Sequence, residues 1–222
     1  SEVHFYSDDD SYSEFVKSKM DKRNGIELNA LWSDKNKRKS RKAINEIRHK
    51  GYSFVFQDTY LMPNFSAIDN IALTDLIKGN SLAKSYHKII GGLVKNLHLK
   101  NLFFKNKPSE YSGGERQRMA FGRGIFPDFE VLFGDEPTGN LDPHNANEVL
   151  KYAKECIKNK PGRSAIIVTH SIDLALQFAD KIIVLTPKLN LNGRKMYTVL
   201  PEFMFNRVDW ENTNAKAQHF RE

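Results

Sequence analysis

A chain of 222 residues, 40% apolar and 27% charged, can bury a full core, which excludes a peptide-sized or disordered protein. Its longest apolar run, Ile89 to Val94, is six residues with two glycines, far short of the roughly 20 that a membrane-spanning helix needs. The net charge of +7 comes almost wholly from Lys35, Lys37, Arg38, Lys39, Arg41 and Lys42; no aromatic residue interleaves that run to stack bases, so it reads as a solvated helix face over 35–49 and no nucleic-acid partner is expected.

Val3 and Phe5 alternate with polar neighbours as a short edge strand does, and the acids and serines of 8–13 end it as a loop. The aromatic run 52–56 is a strand that stops at Gln57. Helical spacing follows over 67–77 and 82–97. Pro108 then punctuates the chain before Ser112, where a glutamate three residues on makes a capping box for a helix to about Phe126. A buried strand over 129–134 comes next. Asp142 as N-cap and Pro143 at the first position open a helix to about Lys158, and a second buried strand covers 165–168. Strands at 181–185 and 196–200 close the series. Strands alternating with helices predict an α/β fold with a largely parallel sheet, here carrying a helical subdomain over 67–126 and a C-terminal tail over 202–222 within one domain, 1–222. The single cysteine, Cys156, has no partner for an internal disulfide or a CxxC metal pair, which fits a reducing compartment.

In an open parallel sheet ligands collect at the carboxyl ends of the strands. Three predicted strands end in polar residues: Gln57 on the first, Asp135 and Glu136 on the second, Thr169 and His170 on the third. Adjacent acids at such an edge can hold magnesium and polarise a water. Alone, the acid pair reads equally well as a turn or a helix cap, and His170 alone as a structural histidine. Ser112, Gly113 and Gly114 at a helix start bring bare backbone and the positive end of the helix dipole close to an anion such as a phosphate.

Taken in order, these segments resemble the ATP-binding cassette (ABC) ATPases. Tyr111 to Arg118 (YSGGERQR) is similar to the signature motif, Phe54-Val55-Phe56-Gln57 to the Q-loop, Val131 to Glu136 to Walker B with its glutamate, Pro137 to Asp142 to the D-loop stretch, and Val168-Thr169-His170 to the switch histidine. The run from Glu136 to Asp142 with the Q-loop is most similar to the branch serving lipoprotein release, macrolide efflux and cell division. The resemblance implies a P-loop NTPase-like core, ATP and Mg2+ as ligands, and a cytoplasmic subunit peripheral to the membrane. It implies Asp135 at the metal, Gln57 at the metal or the attacking water and sensing the membrane partner, Glu136 as general base, and His170 against the γ-phosphate, with Glu136, His170 and Gln57 as the catalytic set. Ser112, Gly113 and Gly114 would close over ATP held by a second ATP-binding subunit, in a homodimer or heterodimer, with Asp142 communicating between the two. A transmembrane permease subunit is the implied partner; the apolar stretch 60–71 suits its docking, although the same residues would serve equally in a core.

One motif of the pattern is missing. None of the 13 glycines is followed by lysine, so no G-x-x-x-x-G-K-[ST] cradle for the phosphates exists in these residues. The start at Ser1, with no initiator methionine, reads as a cut in a longer polypeptide whose Walker A strand, loop and helix precede it. The alternatives are a non-catalytic cassette that caps a partner's ATP site or has a regulatory role, and a cassette acting on ribosomes or chromosomes. Room for a single cassette and the short stretch between Gln57 and Ser112, with no long coiled coil, speak against the last.

Overall fold

The computed structural model describes residues 4–5, 26–27, 37–99, 107–189 and 195–208. The expected loop at 8–13 and most of the 202–222 tail lie outside them. The chain divides into two compact units, Ser1–Val168 and Thr169–Glu222.

In the first unit β1 (His4–Phe5) pairs antiparallel with β2 (Ile26–Glu27), a partner that composition did not reveal. Five of the six residues of the basic run, Lys37 to Lys42, lie on α1 (Lys37–Gly51), as expected; Lys35 lies outside the described residues. Ala43, Ile44 and Ile47 bury one stripe of α1, while Arg38, Lys39, Arg41, Lys42 and Arg48 are exposed. The chain passes directly into β3 (Tyr52–Val55), which pairs parallel with β4 (Val131–Asp135); β4 pairs parallel with β5 (Ser164–Val168). The order β3-β4-β5 requires crossovers, and helices supply them.

Between β3 and β4 stand α2 (Ala67–Ile77), α3 (Leu82–Lys88), a π-turn at Ile89–Leu93, the one-turn α4 (Val94–Asn96) and α5 (Gly113–Ile125). The helix expected over 82–97 is therefore interrupted. The interruption falls at Gly91 and Gly92, the weakest helix formers in the stretch, and the wider turn leaves Ile89, Leu93, Val94 and Leu97 all buried. Ser66 caps α2 with a capping box to Asp69, which holds that carboxylate below its usual range although burial works in the opposite direction. Crossing back from β4, α6 (Pro143–Lys158) starts on Asp142 as N-cap with Pro143 in the first turn, matching the expected cap and end.

The core joins the helices to one face of the sheet. Val55 and Leu132 meet Ile71, Leu93, Leu97, Met119, Phe121, Ile125 and Val149 in one buried cluster. The opposite face carries Tyr52, Phe54 and Phe133, with Phe54 and Phe133 stacked at 5.3 Å and 15°. β5 departs from expectation. Its residues were expected buried, yet Ile166 is 57% and Val168 54% exposed. Among the described residues β5 is an edge strand with β4 as its one partner, so half of its surroundings are lacking.

The second unit holds α7 (Ile172–Phe178) and an antiparallel pair, β6 (Lys181–Leu189) and β7 (Lys195–Asn206). Both strands run longer than their apolar centres predicted. Pro201, which would ordinarily end a strand, falls in the register irregularity between the paired stretches, where no ladder donor is needed.

Two features of the first unit control its stability. Gly124 allows α5 to touch β3: a Cβ there would collide with Val55 Cγ2 and lie 3.0 Å from the Phe54 carbonyl oxygen. We expect Gly124→Ala to destabilise by about 1–3 kcal/mol through overpacking, in spite of a helix-propensity gain of up to about 1 kcal/mol, as read by urea unfolding; equal or greater stability would show that the helix can retreat without cost. Below the sheet, Asp128 accepts from Lys160 at 2.6 Å and from Arg163. Burial raises its pKa, but the two cations outweigh that and hold it below the ordinary carboxylate value. A depressed folded pKa stabilises fully above the unfolded value near ~3.9 and loses that contribution as pH falls through the folded one. Thermal melts between pH 6 and 3 should therefore show an acid-side loss that Asp128→Asn lacks, worth less than about 1 kcal/mol because the carboxylate is 60% exposed.

Candidate functional site

The parallel register sets three polar strand ends side by side. Val55 lies opposite Gly134, which lies opposite Ile167, and Asp135 lies opposite Val168. Gln57 therefore follows β3 at the same edge where Asp135 ends β4 and Glu136 begins the next loop. Gln57 and Asp135 are exposed and Glu136 is half-buried. Glu136 adopts φ 43°, the left-handed region that a residue with a Cβ seldom occupies, at a cost of order 1–3 kcal/mol. Two backbone hydrogen bonds hold it there: its N–H donates to the Val168 carbonyl at 3.0 Å, and its carbonyl accepts from Gly139 N–H at 3.0 Å. Strain maintained by neighbours at a strand end points to a carboxylate whose direction matters.

The serine–glycine turn forms as the capping pattern requires. Ser112 Oγ accepts from Glu115 N–H at 3.2 Å and the Glu115 carboxylate accepts from Ser112 N–H at 2.8 Å, so α5 begins at Gly113. Ser112 and Gly113 are exposed. This turn rests on the loop after β4: a side chain on Gly114 would sit 3.6 Å from Leu141 Cδ2 and 3.8 Å from the Asn140 carbonyl oxygen. Asp142 ends that loop, exposed; the Asn145 side chain, donating at 2.5 Å, holds its carboxyl below the usual range.

His170 is placed differently. It belongs to the second unit, between Thr169, whose Oγ1 accepts from Ser171 N–H at 3.1 Å, and Ser171, the N-cap of α7. The first unit thus brings together Gln57, Asp135 and Glu136 at one edge, and Ser112, Gly113 and Gly114 against the loop that ends in Asp142.

Three residues that the sequence reading passed over organise this region. Gln117, fully buried, donates from Nε2 to the Pro137 carbonyl at 3.0 Å and accepts at Oε1 from Asn140 Nδ2 at 3.3 Å. Arg123 donates to the carbonyls of Thr59 and Tyr60 at 2.6 and 2.7 Å, just past Gln57; burial lowers its pKa. Asn70, also fully buried, ties Met62, Phe65 and Ser66 to α2 through their backbones. One signal was available: Gln117 shares a helical face with Phe121 and Gly124, and a carboxamide on an otherwise apolar stripe calls for buried partners.

Among the described residues no three His, Cys, Asp or Glu side chains converge as a metal cluster. Magnesium does not need one, since it is commonly bound by one or two carboxylates with waters and substrate phosphates completing its shell. Asp135 and Gln57, both exposed at the same sheet edge, carry hard-oxygen donors of that kind. Among the described residues no helix is long and apolar enough to cross a membrane.

The class of this parallel sheet, with its helix-start glycine turn and strand-end acids, is given by comparison with known proteins. The chain belongs to the ABC transporter family, whose profile matches residues 24–139. The LolD ATP-binding protein of the lipoprotein-releasing system of Paramagnetospirillum magneticum is 36% identical over 148 residues, covering 67% of this chain and 64% of that protein. The macrolide export ATP-binding/permease protein MacB of Chlorobaculum tepidum is 34% identical over 151 residues, 67% of this chain but 22% of its own length. These are relatives within the branch that the sequence motifs resemble. The chain spans less than two thirds of the length of each. Among solved structures, the dimeric MJ0796 bacterial ABC transporter cassette superposes with a TM-score of 0.59 at 28% identity, over 72% of this chain and 65% of that one. The fold is an ABC-type α/β core.

The Arg123 clamp yields a direct test. Arg123→Met keeps most of the apolar stem and removes both donors to the segment after Gln57. Amide hydrogen exchange over 58–62 should quicken at least about tenfold while α6 is unaffected; unchanged exchange would show that Asn70 alone holds the segment.

Proposed function

We propose that this chain is the ATP-binding and ATP-hydrolysing subunit of an ABC transporter, acting as a pair on the cytoplasmic face of a membrane and driving a separate permease subunit. The observation that carries the reading is the left-handed, backbone-held Glu136 directly after Asp135 at the end of β4. In this reading Glu136 takes the proton of the attacking water as general base, and His170 hydrogen-bonds the γ-phosphate. Asp135 and Gln57 are the residues that would hold Mg2+, which when bound neutralises phosphate charge. The N–H groups of Gly113 and Gly114 and the hydroxyl of Ser112 meet the γ-phosphate of ATP held by the second subunit, since the first amides of a helix have no intrahelical acceptor. Asp142, at the far end of the same loop as Glu136, faces that second subunit.

Support for pairing comes from the dimeric MJ0796 cassette, a second form of which is described with ADP and Pi. Support for a permease comes from the relatives, one a macrolide export ATP-binding/permease protein. Exposed Phe56, Tyr60, Met62 and Phe65 offer the apolar surface on which such a subunit would dock. No G-x-x-x-x-G-K-[ST] cradle lies within these 222 residues. The alternative of a non-catalytic cassette draws no support from the relatives, which are named as ATP-binding proteins.

Phosphate release by the full-length gene product should fall at least about 100-fold in Glu136→Gln, the scale of a lost general base, while ATP binding persists. Undiminished turnover would remove Glu136 from that role.

A further inference from the structure

The two functional parts of one subunit must be kept in step. The serine–glycine turn serves ATP held by the partner, whereas Glu136 serves the subunit's own side of the pair. Both approach the same side chain. Gln117 stands one helical turn below Gly113 on α5, fully buried, and its carboxamide spends its two polar atoms on a single loop: Nε2 on the Pro137 carbonyl and Oε1 on the Asn140 amide. Pro137 is the residue directly after Glu136, and Asn140 stands two before Asp142.

That loop has few other ways to hold its shape. Gly139 N–H closes a turn onto the Glu136 carbonyl, and Leu141 N–H closes a second onto Thr138, both at 3.0 Å. These bonds are internal to the loop, so they fix its curvature without fixing it to α5. The Pro137 ring packs on Gly134, which anchors the loop to β4. Gln117 makes a buried polar connection between the loop and the helix that carries the turn, beside the approach of Gly114 to Leu141, and its amide plane lets it grip the start and the middle of the loop at once. A buried carboxamide with both atoms engaged also tolerates little displacement, because sliding the helix by an ångström would leave polar atoms unpaired in a dry environment.

We infer that Gln117 is a positioning residue that couples the serine–glycine turn to Glu136: movement of α5 when Gly113 and Gly114 engage a phosphate is passed through the Gln117 carboxamide to the Pro137 carbonyl, and so to the backbone of Glu136. This inference rests on the hydrolytic reading of Glu136. Gln117 touches neither nucleotide nor water. Its removal should therefore leave assembly of the nucleotide-bound pair intact and slow the chemical step.

The test compares Gln117→Leu, which keeps the volume and removes both hydrogen bonds, with Asn140→Ala and the double variant, all in the full-length gene product. Turnover should fall roughly tenfold or more in Gln117→Leu, in keeping with the sensitivity of catalysis to small misplacements. The ATP concentration giving half-maximal turnover should stay within about twofold. ATP-induced dimerisation, followed by light scattering in a Glu136→Gln background, should likewise be retained. The double variant should be no slower than Gln117→Leu, because both changes break one connection. Gln117→Glu, which retains the Asn140 contact but loses the donor to Pro137, should recover less than half of the lost rate. Turnover within twofold of wild type overturns the inference alone. So does a loss of turnover and dimerisation in equal proportion with a lowered melting temperature, the signature of a merely structural role. A wild-type protein without ATP turnover overturns this inference and the underlying functional reading together.

Discussion

The contact between α5 and β3 is the constraint on which the rest of the first unit depends. Ordinary helix-on-sheet packing keeps backbones about 10 Å apart, because side chains fill the space between them. At Gly124 nothing fills it, and Val55 occupies the position a methyl group would take. Ser53 Oγ then reaches the Gly124 carbonyl at 2.5 Å, giving the bare stretch a hydrogen bond across the layers. A helix pressed this close cannot roll, so its other end is aimed. Ser112 opens the same helix three turns earlier, and the direction of the serine–glycine turn is set by a glycine remote from it. Gly122, on the same helix, does for the helical layer what Gly124 does for the sheet: a Cβ there would sit 3.0 and 3.1 Å from Leu93 and Leu97. The helix-propensity cost of both glycines, up to about 1 kcal/mol each, is the cost of close packing on two sides.

Along this aimed helix the polar side chains divide the labour. Gln117 grips the loop after β4, and Arg123 grips the carbonyls after β3. One rigid element thus carries one candidate ligand turn at its tip and holds the backbones behind Gln57 and Glu136. Thr74 Oγ1 donates to the Arg123 carbonyl at 2.8 Å, which brings α2 into the same assembly. Active sites gain precision when supporting residues are themselves locked, and the full burial of Gln117 and Asn70 supplies that locking.

Local chemistry was the legible part. Caps at Ser112 and Asp142 involve neighbours three residues apart, and the helices they open lie where the pattern puts them. The ends of β3 and β4 were equally readable, since short aromatic and branched runs stop where polar residues begin. Nonlocal arrangements were not. The exposure of Ile166 and Val168 depends on what adjoins β5, which an apolar run cannot state. The length of β7 depends on its ladder with β6 more than on its own residues. The two bonds of Gln117 cross from helix to loop, and no periodicity encodes a partner twenty residues away. For the site, residue identities at the strand ends followed from order and spacing, whereas the left-handed backbone of Glu136 required the Val168 carbonyl in place.

Electrostatics at the α5 tip carry the last step. A helix start presents roughly half a positive charge, and an acid in the first turn lowers it. Glu115 is such an acid, and its carboxylate already takes the Ser112 N–H. An incoming phosphate therefore meets a turn partly neutralised from within. Two arginines compensate. Arg116 Nη1 donates to the Tyr111 carbonyl, which keeps its guanidinium beside the turn, and Arg118 Nη1 lies 3.6 Å from where a Gly114 side chain would project. The two cations offset Glu115 and the nearby Glu110, both of which act on Tyr111, while Glu115 keeps the cap closed without a ligand. A turn built this way holds its shape before any ligand arrives, so an approaching triphosphate would spend little of its binding energy on ordering the backbone it meets.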